Sequence, residues 1–332
     1  MAPWWALQLA SGAKSFADNP LIGSRTLNRC GLHVRRVRLA QSLGQSRRRR
    51  LRHLASEQDR ASFDRDGFVE IRDFLRPDIF ARLRDGVLDN AWAAREMVQG
   101  DAITRRIAVD RQMLDIVPEV RALRDDPRWR GLIRYAGSFN AEPLLYVQSI
   151  LTHVHDTRPD PQEQLHADTF HPTVKAWLFL TDVADDEGPF VYVPGSHRAS
   201  PARLEWERAK SLSSDLDRLS SRGSLRIEPE ELPGLGLPEP RSFAVPANTL
   251  VVADTSGFHA RGRSTRPSTR VEIWAYSRRN PFLPWTGLDV LSWPGASERA
   301  VAAIWKVRDR LHKAGWLGHP WQDAGLKRPA ER

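Results

Sequence analysis

Apolar and polar positions change their period along the chain. Between residues 27 and 54, Leu32, Val34, Val37, Leu39, Leu43, Leu51 and Leu54 recur among many arginines, which predicts a basic amphipathic helix or two. Residues 56–65 continue in helical period, and Gly67-Phe68-Val69-Glu70-Ile71-Arg72 then alternates like a half-buried strand. Pro77 sits in the first turn of a further helix whose core face is Ile79, Phe80, Leu83, Val87 and Leu88. Residues 118–136 predict two short helical pieces. Strand signals dominate afterwards, at 144–151, 174–181, 190–193, 249–254 and 270–277, with Pro, Gly and Ser between them. Residues 199–220 read as a polar helical insertion and 223–241 as a Pro- and Gly-rich connector. Residues 297–314 read as a terminal helix before a Trp-containing tail, and 1–24 as an irregular arm.

Helices first and antiparallel-type strands later predict an α+β, mainly β, fold. No internal repeat is visible. The Gly-rich strand-to-helix turn of dinucleotide and phosphate-loop folds is missing, as is the Gly-x-Ser-x-Gly nucleophile elbow. Three divisions follow: a basic helical extension over 1–56, a main domain over 57–290 with an insertion at 199–241, and a C-terminal helix and tail over 291–332.

Charge sharpens that division. The chain has 332 residues and a net charge of +9, and residues 1–60 hold 12 basic against 3 acidic side chains. The rest is balanced, so the main domain gives no compositional support for nucleic-acid binding. The run Arg47-Arg48-Arg49-Arg50-Leu51-Arg52 carries no interleaved stacking aromatics, which makes nucleic acid an unlikely partner. Peripheral contact with an anionic membrane through residues 27–54 stays open beside the blander reading, a helix packing one face on the domain. Cys30 is the single cysteine, so no intrachain disulfide forms, and a cytoplasmic location is expected. No run of about 18 apolar residues predicts a membrane span. The N-terminus is apolar before its first basic residue, the reverse of a secretory signal. Residues 1–56 share the Arg-rich, acid-poor character of a mitochondrial transit peptide, but Arg outnumbers Lys throughout, 44 to 6.

Candidate chemistry lies in Gln164-Leu165-His166-Ala167-Asp168-Thr169-Phe170-His171-Pro172. His166 and Asp168, at i and i+2 on a strand end, point to the same side and can bind one metal ion. His259, after the 249–254 strand and a glycine turn, is the candidate for a second imidazole. Two His and one carboxylate make the facial triad of non-haem Fe(II), which leaves open positions for a chelating cosubstrate and dioxygen. Arg270, eleven residues after His259, could pair bidentately with a distal carboxylate of that cosubstrate.

These motifs resemble the phytanoyl-CoA dioxygenase (PhyH) family of Fe(II)/2-oxoglutarate oxygenases. The resemblance runs from about residue 62 to about 280. It begins with Phe63-Asp64-Arg65-Asp66-Gly67-Phe68-Val69 and Phe74-Leu75. It continues through His166-Ala167-Asp168, Ala176-Trp177, Thr181-Asp182-Val183 and Glu187-Gly188-Pro189. Val191-Tyr192-Val193-Pro194-Gly195-Ser196-His197-Arg198 and the pair His259 and Arg270 complete it. It implies a double-stranded β-helix, a cupin-like jelly roll with flanking helices. It implies that His166, Asp168 and His259 hold Fe(II), and that Arg270 binds the far carboxylate of 2-oxoglutarate. It also implies that Trp177 and Gln148 line the cosubstrate pocket, with ascorbate as a reductant. The carboxylate at 168 implies hydroxylation, because halogenating relatives carry a small residue there. One departure is Arg261, where some members have a serine for the cosubstrate carboxylate; Ser264 or Thr269 could substitute.

The expected activity is hydroxylation of a small or medium organic molecule by O2, with 2-oxoglutarate converted to succinate and CO2. The alternative is an inactive jelly-roll binding module whose basic arm is a tether. Among rival groups, His171 reads as a loop histidine near the site and His197 as a turn histidine. His153 and His155 form a His-x-His pair without an acidic partner, since Asp156 falls on the wrong parity. Lys175 shares a strand face with Trp177 and is weighed as a substrate or cosubstrate contact against a solvated lysine. The late tryptophans read as core and tail packing.

Overall fold

A computed structural model describes residues 2–155, 160–213, 215–287, 289, 293, 295–316, 318 and 320–332, so Asp156 lies outside the described residues. The chain opens with helices α1 (Ala2–Leu9), α2 (Arg25–Arg29) and α3 (Leu32–Leu51), then α4 (Glu57–Asp66). Ser56 caps α4 by accepting from the Asp59 N–H, and Gly67 ends it in the left-handed region at φ 86°. A Cβ on Gly67 would lie 2.5 Å from His197 Nδ1 and Tyr192 Oη, so the position also needs glycine for closeness. Strand β1 (Phe68–Ile71) follows at once. Helix α5 (Pro77–Leu88) carries Pro77 at its start.

Next come β2 (Trp92–Gln99) and β3 (Ala102–Ala108), then helices α6 (Arg111–Ile116), α7 (Pro118–Asp125) and α8 (Pro127–Gly137). The remaining strands are β4 (Leu144–Leu151), β5 (Val174–Phe179), β6 (Phe190–Tyr192), β7 (Arg241–Phe243), β8 (Leu250–Asp254), β9 (His259–Arg261), β10 (Thr269–Ser277) and β11 (Gln322–Lys327). Helices α9 (Pro201–Leu212) and α10 (Arg218–Ser221) lie between β6 and β7, and α11 (Ala296–Lys313) between β10 and β11.

Eight strands form one antiparallel sheet in the order β1-β8-β5-β10-β4-β3-β2-β11, and three form a second in the order β7-β6-β9. Period-two alternation gives the large sheet two buried faces. Ala176, Leu178, Leu250, Val252, Val271 and Ile273 point to the helices, where they meet Leu83, Trp129, Leu132 and Ile133. Phe68, Trp177, Phe179, Val251 and Trp274 point the other way, against Phe190, Tyr192 and Phe243 of the small sheet. The two facing sheets form the double-stranded β-helix, and the cavity lies between them.

Several elements depart from the expectations. Residues 2–9 are helical rather than irregular, and the Trp-containing tail adds β11 to the edge of the large sheet. Strands β2 and β3 have no clean alternation, because their inner faces carry cavity-lining polar groups. Their join, Gly100-Asp101 with Gly100 at φ 59°, is a two-residue hairpin signal that was present in the sequence. His259 opens β9 rather than trailing a strand.

Helix α3 sends its arginines inward as well as outward. Arg47 is fully buried over the Phe139 ring at 4.1 Å, and its Nε donates to Ser138 O at 3.0 Å. Arg48 Nη2 donates to Asp254 Oδ2 at 2.8 Å and to Ala136 O at 2.7 Å. Arg36 donates to the carbonyls of Leu9, Ser11 and Ala13, which ties α1 down. Arg35, Arg38, Arg49, Arg50 and Arg52 are exposed. Among the described residues no helix is long and apolar enough to cross a membrane.

Candidate metal and cosubstrate site

The site starts from one backbone pairing. His166 and His259 exchange both N–H···O bonds at 2.9 Å, as an antiparallel pair outside the longer ladders. Residues so paired project side by side, and their rings lie 4.5 Å apart between centroids. Asp168 follows two residues after His166 and is fixed by its N–H to Thr255 O at 2.9 Å. Oδ2 of Asp168 lies 3.6 Å from His259 Nε2, and Oδ1 lies 3.9 Å from His166 Nε2. One ligand atom from each residue falls within 4.8 Å of the others.

Each imidazole is oriented from behind. His166 Nδ1 faces Gln164 O at 2.8 Å, and His259 Nδ1 faces Gly257 O at 3.0 Å. A ring nitrogen against a carbonyl must carry the proton, so both Nε2 atoms present lone pairs to the centre. His259 Nε2 is buried with no hydrogen-bond partner. Burial, with the neighbouring imidazole, pushes His166 well below its ordinary value. Burial pushes His259 down to about 4, so both rings are neutral at pH 7. For Asp168, burial acts upward, but the Lys175 ammonium beside it outweighs that and holds the carboxyl well below its usual range. Two neutral imidazoles and an ionised carboxylate, converging with one nitrogen unpartnered, fit a divalent transition metal.

The turn at 254–257 supports both halves of the site. Asp254 Oδ1 accepts from the N–H groups of Thr173 and Ser256 at 3.0 Å each, and from Ser256 Oγ at 2.7 Å. Within that turn, Thr255 holds Asp168 and Gly257 holds His259. Arg48 completes the set by pairing with Asp254, so the N-terminal helix reaches the backing of two candidate ligands.

His166, Asp168, His259, Arg270, Trp177 and Gln148 all line one cavity of about 270 Å³ between the sheets. Arg270 Nε donates to Glu272 Oε2 at 3.0 Å, and Nη1 donates to Gly188 O. Gln148 Nε2 donates to Glu272 Oε1 at 2.9 Å. Trp177 lies against Phe190 with centroids 4.4 Å apart.

Other groups fall differently. Lys175 lines the cavity, and its Nζ lies 2.6 Å from Asp168 Oδ2, which makes it the ion-pair partner of a candidate ligand. Neither Ser264 nor Thr269 lines the cavity; Ser264 Oγ is bonded to Arg266 O and Thr152 Oγ1. Arg261 is in the cavity wall, paired with Asp160, and Thr104 is the hydroxyl beside it. His171 is buried behind the site with Nδ1 on Pro172 O, and burial pushes it down to about 3. Buried His197 packs its ring on Phe63, and burial pushes it down to about 4. His153 bonds Ser264 O and joins no metal-type cluster among the described residues. Sequence reasoning missed Arg106 and Thr104, because β3 was not read as a strand. Lys14, whose Nζ donates to Asp168 O, gave no signal at all.

Comparison with known proteins adds a likeness over part of the chain. The family model for phytanoyl-CoA dioxygenase (PhyH) matches residues 63–218, which include His166 and Asp168 but not His259 or Arg270. No curated protein matches the chain. Among solved structures, the epimerase SnoN in complex with Fe3+, alpha ketoglutarate and nogalamycin RO is 20% identical, over 66% of this chain and 82% of its own, at a TM-score of 0.40. HygX from Streptomyces hygroscopicus, with nickel, 2-oxoglutarate and hygromycin B bound, is 18% identical over 67% and 86%, at 0.39. EctD from S. alaskensis, with 2-oxoglutarate and 5-hydroxyectoine, is 17% identical over 67% and 75%, also at 0.39. These likenesses are distant, and the site stands on its own geometry. Over residues 63–218 the chain is similar to the phytanoyl-CoA dioxygenase (PhyH) family.

Proposed function

We propose that the protein is a non-haem Fe(II)- and 2-oxoglutarate-dependent dioxygenase that hydroxylates a small or medium organic molecule. The observation that carries this reading is the convergence of His166, Asp168 and His259, with both Nδ1 atoms anchored and His259 Nε2 unpartnered in a buried cavity. Iron, when bound with 2-oxoglutarate and O2, supplies the oxidising chemistry: R–H, O2 and 2-oxoglutarate give R–OH, succinate and CO2.

The chain's own residues bind and orient. His166, Asp168 and His259 would hold the ion. Lys175 engages one carboxylate oxygen of Asp168, so that group stays ionised and aimed. Arg270 offers a planar donor array to the far carboxylate of 2-oxoglutarate, and Glu272 fixes its orientation. Trp177, with Phe190, and Gln148 wall the cosubstrate's side of the cavity. A carboxylate at 168 would serve as a metal ligand where halogenating enzymes need room for a halide, which favours hydroxylation.

The test is succinate formation from 2-oxoglutarate with Fe(II), ascorbate and O2 across a panel of small organic molecules. Turnover in the unaltered chain, and none in His166→Ala or Asp168→Ala, is the expected result. Unchanged turnover in those variants would show the ligand assignment to be wrong. Failure of the unaltered chain to bind Fe(II) or 2-oxoglutarate would favour a binding module instead.

A further inference from the structure

Four cationic side chains line the cavity: Arg106, Lys175, Arg261 and Arg270. Three touch a carboxylate. Lys175 meets Asp168 at 2.6 Å, Arg261 meets Asp160 at 2.5 Å, and Arg270 meets Glu272 at 3.0 Å. Arg106 touches none among the described residues. Its Nε donates to the neutral Gln148 Oε1 at 3.0 Å. Its guanidinium lies 4.1 Å from the Trp274 ring centre, 4.5 Å from that of Trp321 and 5.3 Å from that of Tyr146.

Cross-strand register explains the arrangement. Arg106, Gln148 and Glu272 stand opposite one another on β3, β4 and β10, and Arg270 is two residues along β10 on the same face. A continuous row therefore runs from Arg106 through Gln148 and Glu272 to Arg270. Glu272 is shared along this row and is already engaged by Arg270. Lys14, behind Asp168, adds to the positive field rather than offsetting it.

Charge counting then gives a result. Four lining cations face three carboxylates, and Lys14 adds a further positive charge behind Asp168, so the wall carries an excess of positive charge. A divalent metal and a dianionic 2-oxoglutarate together change nothing in that balance. Aromatic faces offset part of the cost of an unpaired buried guanidinium, but not the charge itself. A planar donor array that opens on a cavity and has no carboxylate is suited to receive one from a ligand.

We propose that the substrate of this site is a small molecule carrying a carboxylate or equivalent anionic group, and that Arg106 binds it. The inference rests on the functional reading above and names the substrate class for that site. Arg106 is a specificity residue for the substrate, whereas Arg270 serves the cosubstrate. The aromatic wall of Trp274, Tyr146 and Trp321 around the guanidinium leaves the anion an approach from the cavity side.

The test uses the full chain loaded with Fe(II) and saturated with 2-oxoglutarate, with oxygen excluded. The probes are straight-chain monocarboxylates from butyrate to octanoate and their primary amides, and binding is read by calorimetry. At least one acid is expected to bind tenfold or more tightly than its amide. Arg106→Gln abolishes that preference and weakens the acid at least tenfold more than it weakens 2-oxoglutarate. Arg106→Lys keeps the charge without the planar fork, so it retains the preference at lower affinity and guards against a folding defect in the Gln variant. Amides that bind as tightly as acids, no acid binding, or an undiminished preference in Arg106→Gln each overturn the proposal while 2-oxoglutarate still binds. Loss of 2-oxoglutarate binding by the unaltered chain would overturn the functional reading along with it.

Discussion

Individual residues in this protein are placed by what stands behind them. Both candidate imidazoles take their direction from a carbonyl, and Asp254 holds the turn that supplies one of those carbonyls and fixes the Asp168 backbone. Burial pushes the Asp254 carboxyl upward, but Arg48 and the surrounding donors outweigh that and keep it below its usual range. Asp254→Asn should therefore leave the three ligands in place but less well aimed. A loss of about 10–100-fold in Fe(II) affinity is expected, read by competition with a chelator of known strength. Unchanged affinity would mean that the turn does not position the ligands.

A second buried carboxylate sets a pH dependence. Glu207 is bonded to His33 Nε2 at 2.7 Å and to Arg203. Burial acts upward on it, but Arg203 and His33 outweigh that and hold it down at about 2. A carboxyl with a depressed value in the folded state stabilises above its unfolded value of 4.5 and loses that contribution as pH falls toward 2. Thermal stability should fall across that window, and Glu207→Gln should be less stable at pH 7 with a flatter profile below 4.5. Parallel acid profiles for the two proteins would contradict this.

At the scale of elements, helix α3 is part of the core rather than an appendage. Val37, Ala40 and Leu51 are buried, and Arg47 and Arg48 reach groups on α8, on β8 and in the segment after β10. Arg48→Met leaves the Asp254 carboxylate buried without its cation, which costs about 3–5 kcal/mol. Urea denaturation checks this; a loss below about 1 kcal/mol would show that Thr173 and Ser256 alone satisfy Asp254. Helical period alone could not reveal these contacts, because an arginine buried on a carbonyl and an aromatic ring reads as polar in the sequence. Strand β8 was legible because it is almost wholly apolar, and β5 and β10 because apolar residues dominate them around Lys175, Arg270 and Glu272. Strands β2 and β3 were not, because Arg106 and Thr104 face a cavity where apolar residues would otherwise stand. Their Gly100-Asp101 hairpin was the one local signal available.

For the whole molecule, the separation of charge seen in the sequence takes on a different meaning in three dimensions. The excess of arginines in the first 60 residues does not form one solvated face; part of it is consumed in fastening α1 and α3 to the jelly roll. The balanced body, in turn, concentrates four cations around one cavity. That His166 and Asp168 share one side was legible from their i, i+2 spacing, and Arg270 from its place at the start of a strand. His259 was readable only as a strand-end histidine, and the backbone pairing that sets it beside His166 is a long-range contact no local pattern encodes.

The central claim is that three residues 93 positions apart in the chain, His166 to His259, make one metal site that in turn recruits 2-oxoglutarate. Calorimetric titration of 2-oxoglutarate under anaerobic conditions, with and without Fe(II), tests it most directly. One 2-oxoglutarate should bind per chain only when Fe(II) is present, with binding abolished in His259→Ala and weakened at least tenfold in Arg270→Gln. Binding that needs no metal, or that survives loss of His259, would contradict the account.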